Sequence, residues 1–220
     1  MLMIIHLKRL FRRPIRTLAS LDAYERWAAS YPPHAHNALM EIEQSTMLNL
    51  LPPLQGRVVL DLACGTGRYA LLAQERGARL ILGVDNSAAM LVVAPPTVKR
   101  AQATTEAIPL AANALDGVIC GLALGHLPDV QPSFCEIARI LKPGGWALIS
   151  DVHPAIALKG AQRTFTAPDG KVYAVEHYVH QRGEYEQAAR LAGLMVDTVS
   201  EPRLPDSDEP VVLALRLAKR

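Results

Sequence analysis

The chain has 220 residues, half of them apolar and a fifth charged, with a net charge of +2. That is the size and balance of one large globular domain, or of one domain with extensions, and it excludes a disordered or fibrous chain. No apolar run approaches membrane-spanning length, and Cys64, Cys120 and Cys135 show neither paired nor metal-ligand spacing, which fits a reducing, cytoplasmic setting.

The chain opens on a basic segment. Lys8, Arg9, Arg12, Arg13 and Arg16 fall within residues 1–20 without an acid, so the remainder is net acidic. Met1 to Ile5 is apolar, but it is too short for a secretory signal and precedes the basic residues instead of following them. The segment reads as a solvated helix face. A weak contact with an anionic membrane surface or an acidic carrier protein is the sharper alternative. Leu18 to Ser30 carries Leu21, Tyr24 and Trp27 at helical spacing, and Tyr31-Pro32-Pro33 breaks it. Ala38 to Leu51 reads as a second helix, ended by Pro52-Pro53. Residues 1–52 are thus expected to form a helical cap on a domain spanning 53–220.

Strands and helices then alternate. Strands are expected at Val58–Leu62, Leu80–Val84, Thr97–Gln102, Gly117–Gly121 and Trp146–Asp151. Helices are expected at Tyr69–Glu75, Ala88–Val92 and Pro132–Leu141. Such alternation implies a parallel sheet covered by helices on both faces, with the strand ends aligned along one ligand-binding edge. After Asp151 the pattern changes. Arg163–Thr166 and Lys171–Val175 flank the turn signal Pro168-Asp169-Gly170, so residues 155–180 read as an inserted hairpin or lid. A helix at Gln181–Ala192 and strands at Leu194–Ser200 and Val211–Leu217 complete the chain.

The chemistry concentrates where the first of the alternating strands ends. Val58-Val59-Leu60-Asp61 runs into Leu62-Ala63-Cys64-Gly65-Thr66-Gly67, and a helix-forming segment follows. Gly65, Gly67 and Ala70 fit a dinucleotide fingerprint, a weak signal alone. Asp61 argues against it, because an acid beside the glycine turn repels a pyrophosphate and attracts a cation. S-adenosylmethionine carries an ammonium, a sulfonium and one carboxylate, and matches that demand. Asp85, about twenty residues after Gly65, ends the next strand, where an acid accepts hydrogen bonds from ribose hydroxyls.

With these residues the chain resembles the class I S-adenosylmethionine-dependent methyltransferases, and within them the small-molecule group of ubiquinone, menaquinone and malonyl-carrier-protein methyltransferases. Four motifs in order carry the resemblance: Asp61 to Gly67; Gly83-Val84-Asp85-Asn86-Ser87 with Met90; Leu115 to Leu127; and Ala138 to Gly145. The resemblance covers Tyr24 to Asp151 well and the remainder loosely. It implies an α/β, Rossmann-like doubly wound sheet of about seven mostly parallel strands with an antiparallel last strand. It also implies a cofactor, S-adenosyl-L-methionine, leaving as S-adenosyl-L-homocysteine. The cofactor residues expected are Asp61, Ala63, Cys64, Gly65, Gly67, Asp85, Asn86, Met90, Thr104, Thr105, Glu106 and Leu122. Thr104 departs from the family pattern, since an acid that contacts the adenine amino group is usual at that place.

The acceptor side has no motif. Of seven histidines, His126 and His153 follow two strands on the ligand edge and are the candidate proton acceptors. Tyr24, Trp27, Tyr31, His126, His153 and Tyr178 are the candidate substrate contacts. No metal is expected: Leu122-Ala123-Leu124-Gly125 offers no ligand where catechol-type enzymes hold one. Nor is there a polar-Pro-Pro-aromatic motif or a basic aromatic surface for nucleic acid. The expected activity is methyl transfer to an oxygen, nitrogen or carbon of a small or carrier-bound molecule, by a monomer or homodimer. A fold relative that binds the same cofactor without transferring methyl, such as a cyclase or regulatory subunit, is the alternative. An NAD-dependent oxidoreductase is a more distant one.

Overall fold

The computed structural model describes residues 15–205 and 207–220. Lys8, Arg9, Arg12 and Arg13 of the basic N-terminal segment therefore lie outside the described residues.

In chain order, β1 (Arg16–Leu18) leads into α1 (Ser20–Trp27) and α2 (Ala38–Leu50). The alternating region follows as β2 (Val58–Leu62), α3 (Arg68–Glu75), β3 (Leu80–Asp85), α4 (Ala88–Val93), β4 (Lys99–Gln102), β5 (Leu115–Gly121), α5 (Gln131–Ile140) and β6 (Leu141–Val152). Then come α6 (Pro154–Ala157), β7 (Thr164–Thr166), β8 (Val172–Val175), α7 (Arg182–Leu191), β9 (Leu194–Ser200) and β10 (Val212–Lys219).

Seven strands form one sheet in the order β4-β3-β2-β5-β6-β10-β9. β4, β3, β2, β5 and β6 pair parallel, and β10 is antiparallel to both β6 and β9. The order steps outward in opposite directions from β2, so β2 and β5 flank the switch point where such sheets bind ligands. Burial on both faces explains why β2 is apolar at every position except Asp61. Leu60 and Leu62 point into a core with Phe134, Ile137 and Tyr185 of α5 and α7. Val59, one residue before Leu60, points the other way, toward Met47, Tyr69 and Trp146.

Two elements differ from the sequence expectation. Leu18 belongs to a short strand instead of a helix, and α1 starts only at Ser20. The reason is tertiary: β1 pairs parallel with β8, while β7 and β8 pair antiparallel as the expected hairpin. The three strands make a separate small sheet in the order β1-β8-β7. Leu18, Ala23, Phe165, Tyr173 and Val175 form its core, with Tyr24 and Trp27 packed against it. β1 and α1 therefore share one layer with the insert, whereas α2 packs on the main sheet through Met47. The second difference is β6, which begins at Leu141 and not Trp146, because Leu141 already pairs with Leu115 across an irregular register.

Candidate functional site

The C-terminal ends of the parallel strands converge on a cavity of about 250 Å³. β2 delivers Asp61 to it, and the chain then turns through Ala63, Cys64 and Gly65 into α3. Ala63, Gly65 and Gly67 all adopt positive φ, at 55°, 52° and 86°. Glycine reaches this region freely, whereas a residue with a Cβ is strained there by about 1–3 kcal/mol. Leu122, the first residue beyond β5, has φ 56°. Two strained non-glycine residues thus end neighbouring strands, and both line the cavity.

Two acids anchor the sheet edge. Asp61 is 3 % exposed, and its Oδ2 accepts the Ala70 N–H at 2.8 Å. Burial pushes its carboxyl up to about 7, against that hydrogen bond and the Arg68 charge, with Asp85 and Glu43 adding to the rise. Asp85 accepts N–H groups from Gly65 at 2.7 Å and Ser87 at 2.8 Å, so it ties the glycine turn to the start of α4. Burial raises its carboxyl as well. Each Asp85 oxygen keeps a lone pair for a ribose hydroxyl. Desolvated acids on adjacent strands are relieved by a cation and aggravated by an anion. The donor set thus fits S-adenosylmethionine and disfavours a pyrophosphate.

Asn86, Met90, Thr104, Thr105 and Glu106 continue the same wall. Met90 N–H is capped by Ser87 Oγ at 3.1 Å, and Ser87 Oγ itself donates to Glu25 of α1 at 2.9 Å. Thr105 Oγ1 is paired with Ser133 Oγ at 2.7 Å. Cys64 is buried and burial raises its thiol well above its ordinary value, so it packs as a small apolar residue. Gly67 caps α3 in the left-handed conformation and does not itself line the cavity.

The opposite wall comes from the cap, the insert and the end of β5. Tyr24, Tyr31, His126 and Arg163 all line it. His126 Nδ1 lies 2.7 Å from the Glu176 carbonyl, which can only accept, so Nδ1 carries the proton and Nε2 is the lone-pair nitrogen. The Tyr24 hydroxyl, 2.9 Å away, therefore donates to His126 Nε2. Arg163 Nη1 in turn donates to the Tyr24 oxygen at 2.7 Å. Burial, with the Arg163 charge nearby, lowers the His126 imidazole to about 4, so it is neutral at physiological pH. Burial raises the Tyr24 phenol, and Arg163 works against that rise.

Other candidates are placed elsewhere. His153 is turned away from the cavity: its Nδ1 accepts the Ala155 N–H at 3.1 Å to cap α6, and its Nε2 meets Glu201 at 3.2 Å. The sheet topology brings it to the ligand edge, but the capping bond fixes the ring toward α6. Trp27 is sandwiched in the small-sheet core, stacked on Phe165 at 4.9 Å between ring centres. Tyr178 is held through its backbone N–H, which meets the Gly125 carbonyl at 2.6 Å, and it does not line the cavity. His177 joins Tyr185 on Asp151, at 3.3 Å from Oδ1. Burial alone would raise the Asp151 carboxyl, but the His177 hydrogen bond and charge, with the Tyr185 hydroxyl and the Val152 N–H, together hold it low. A Cβ at Gly125 would collide with both His177 and Asp151, which is why that position is glycine.

Sequence reasoning missed Arg163 and the buried pair formed by Arg68 and Glu43 at 2.8 Å. Arg163 sits in the hairpin with nothing local to mark it. Glu43 lies mid-helix in α2, also accepting from Tyr69 and Ser150, and its partners are distant in sequence. Among the described residues no cluster of His, Cys, Asp and Glu could hold a metal ion. Nor is any helix among them long and apolar enough to cross a membrane.

Comparison with known proteins extends this geometry. Residues 60–149 match the family model described as a methyltransferase domain. An uncharacterised methyltransferase of Mycobacterium tuberculosis is 36% identical over 130 residues, covering 58% of this chain and 48% of its own. A ubiquinone biosynthesis O-methyltransferase of Paracidovorax citrulli is 35% identical over 112 residues, covering 47% of each chain. The chain thus spans about half the length of these curated relatives. Among solved structures, a putative S-adenosylmethionine-dependent methyltransferase from Listeria monocytogenes superposes with a TM-score of 0.68 at 25% identity, covering 81% of this chain and 98% of that one.

Proposed function

Because the chain carries a class I S-adenosylmethionine-dependent methyltransferase domain, we propose that it transfers a methyl group to a nucleophilic atom of a small molecule held between the sheet edge and the cap. The observation that carries this reading is the pairing of two buried acids, Asp61 and Asp85, on one cavity whose far wall presents Tyr24 and His126.

When bound, S-adenosylmethionine supplies a methyl group on a positively charged sulfur, already a strong electrophile. The protein's part is alignment, exclusion of water and removal of a proton. Asp61 and the bent backbone at Ala63 and Leu122 would hold the cationic end. Asp85 would hold the ribose, and Thr104 to Glu106 would hold the base. Tyr24 and Tyr31 cover the acceptor. For a hydroxyl acceptor, its proton passes to the Tyr24 oxygen as the Tyr24 proton passes to His126 Nε2. A weak base such as His126 suffices when the acceptor acidifies on bonding to carbon. Oxygen is accordingly the favoured acceptor atom. The same reading places the protein in the cytoplasm as a monomer or homodimer, with residues 1–52 as cap and 155–180 as acceptor-side insert.

The direct test is production of S-adenosylhomocysteine during turnover of a small-molecule panel, together with calorimetry against S-adenosylmethionine and NAD. Tight binding of NAD, or binding of S-adenosylmethionine without any methylated product, would sink the proposal.

A further inference from the structure

The cavity is not uniform in charge. Asp61, Asp85 and Glu106 line its sheet side, while Arg163 stands in the opposite wall, on the insert. The other lining cation, Arg68, is already matched by Glu43 at 2.8 Å. Arg163 has no such match. Its partners among the described residues are neutral: Tyr24 Oη at 2.7 Å, Tyr31 Oη at 3.3 Å and the Leu122 carbonyl at 3.5 Å. The rings of Tyr24 and Trp27 lie 5.8 and 5.9 Å from its guanidinium carbon and hold the plane in place.

A guanidinium has five N–H groups, and these partners engage three. Nε–H and one N–H of Nη2 are left. No side-chain nitrogen among the described residues is both sealed from solvent and without a partner, so the spare Nε–H reaches open space. A guanidinium brought out of water is normally compensated by an anion. Its planar fork matches a carboxylate edge to edge.

We propose that Arg163 is the anion-recognition residue of the acceptor subsite, and that the acceptor is a small molecule bearing a carboxylate. The proposal rests on the methyltransferase reading of the cavity. Among the described lining residues Arg163 is the one cation without an acidic partner, so it balances a single negative charge, which favours a carboxylate over a phosphate. The cofactor's own carboxylate is the other source of the same chemistry. Arg163 favours the acceptor because it belongs to the insert and hydrogen-bonds the cap tyrosines, whereas Arg68 opens α3 on the cofactor side.

The aromatic wall suggests a probe pair of one shape and two charges, benzoate and benzamide. Titrated into the full chain loaded with S-adenosylhomocysteine, benzoate should bind at least tenfold more tightly than benzamide. Arg163→Met should abolish that preference while changing S-adenosylhomocysteine affinity less than threefold. Arg163→Lys, which keeps the charge and loses the fork, should retain part of the preference and guards against a folding defect in the first variant. Equal binding of the two probes by the unaltered protein would overturn the proposal. So would a tenfold loss of S-adenosylhomocysteine affinity in Arg163→Met with the benzoate preference intact, which would assign the guanidinium to the cofactor. If the unaltered protein fails to bind S-adenosylhomocysteine, the methyltransferase reading falls by itself. The benzoate–benzamide comparison on the free protein still decides the role of Arg163.

Discussion

The two walls of the cavity are built on different plans. The cofactor wall is local: Asp61, Gly65 and Asp85 lie on consecutive strand–turn units and are fixed by backbone N–H groups within about twenty residues. The acceptor wall is distributed: Arg163 and Tyr24 meet across 139 residues of chain, and Tyr24 and His126 across 102. Backbone-anchored acids give a site with one fixed geometry. A chain of side-chain hydrogen bonds gives one whose members can be exchanged without disturbing the sheet. The comparison teaches that the wall carrying the two acids is fixed by nearby backbone, and the wall carrying Arg163 and Tyr24 by side chains distant in sequence.

The largest test of this division removes the proton path. His126→Ala and Tyr24→Phe should each lower turnover roughly 100-fold, with cofactor affinity measured by calorimetry unchanged. Near-normal turnover in both would reduce the acceptor wall to a shape that merely positions the substrate. Next in size, Asp85→Ala removes ribose hydrogen bonds and frees the Gly65 turn, and should weaken S-adenosylmethionine binding by on the order of 1–3 kcal/mol. Unchanged affinity would mean that the cofactor lies elsewhere along the edge.

Proton linkage separates the walls further, because the two buried groups titrate with opposite consequences. Asp61 has its carboxyl raised to about 7, so a share of it is protonated near neutrality. A cationic cofactor requires the ionised form, so affinity should fall several-fold as pH drops from about 7.5 to about 6, with protons released on binding. Calorimetry in buffers of different ionisation enthalpy reads this directly, and no buffer dependence would contradict it. His126 is lowered to about 4 in the folded state, so between its ordinary value and 4 the unfolded chain binds the extra proton. Stability should therefore fall as pH drops through that window, by roughly 3 kcal/mol at most, and His126→Gln should flatten the slope in denaturant titrations. A slope unaltered by the substitution would show that other groups dominate the acid limb.

The same division explains what the sequence made legible. The alternation of β2 to β6, the glycine turn and the acid at the end of β3 are written in consecutive residues and short periods, so pattern reading reaches them. Arg163 has no local mark, and its role comes from Tyr24 and Tyr31, over a hundred residues away. His153 shows the converse: topology brings it to the right edge, but the Ala155 N–H captures its ring. Trp27 has helical spacing like Tyr24, yet Phe165 stacks on it and draws it into the small-sheet core. Leu18 fits a helix by composition and is a strand because β8 offers it a partner.

That last pairing bears on how the molecule is assembled. Arg16 pairs with Tyr173, so the two strands are separated by more than 150 residues of chain. At ribosomal rates of roughly 5–20 residues per second, β1 waits on the order of ten to thirty seconds for β8 to be made. During that interval the cofactor wall has already been synthesised in order, strand by strand, while the acceptor wall has neither its arginine nor its small sheet. The wall that carries Tyr24 and Tyr31 is thus begun first and finished last, complete only when the late hairpin brings Arg163 and pairs with β1.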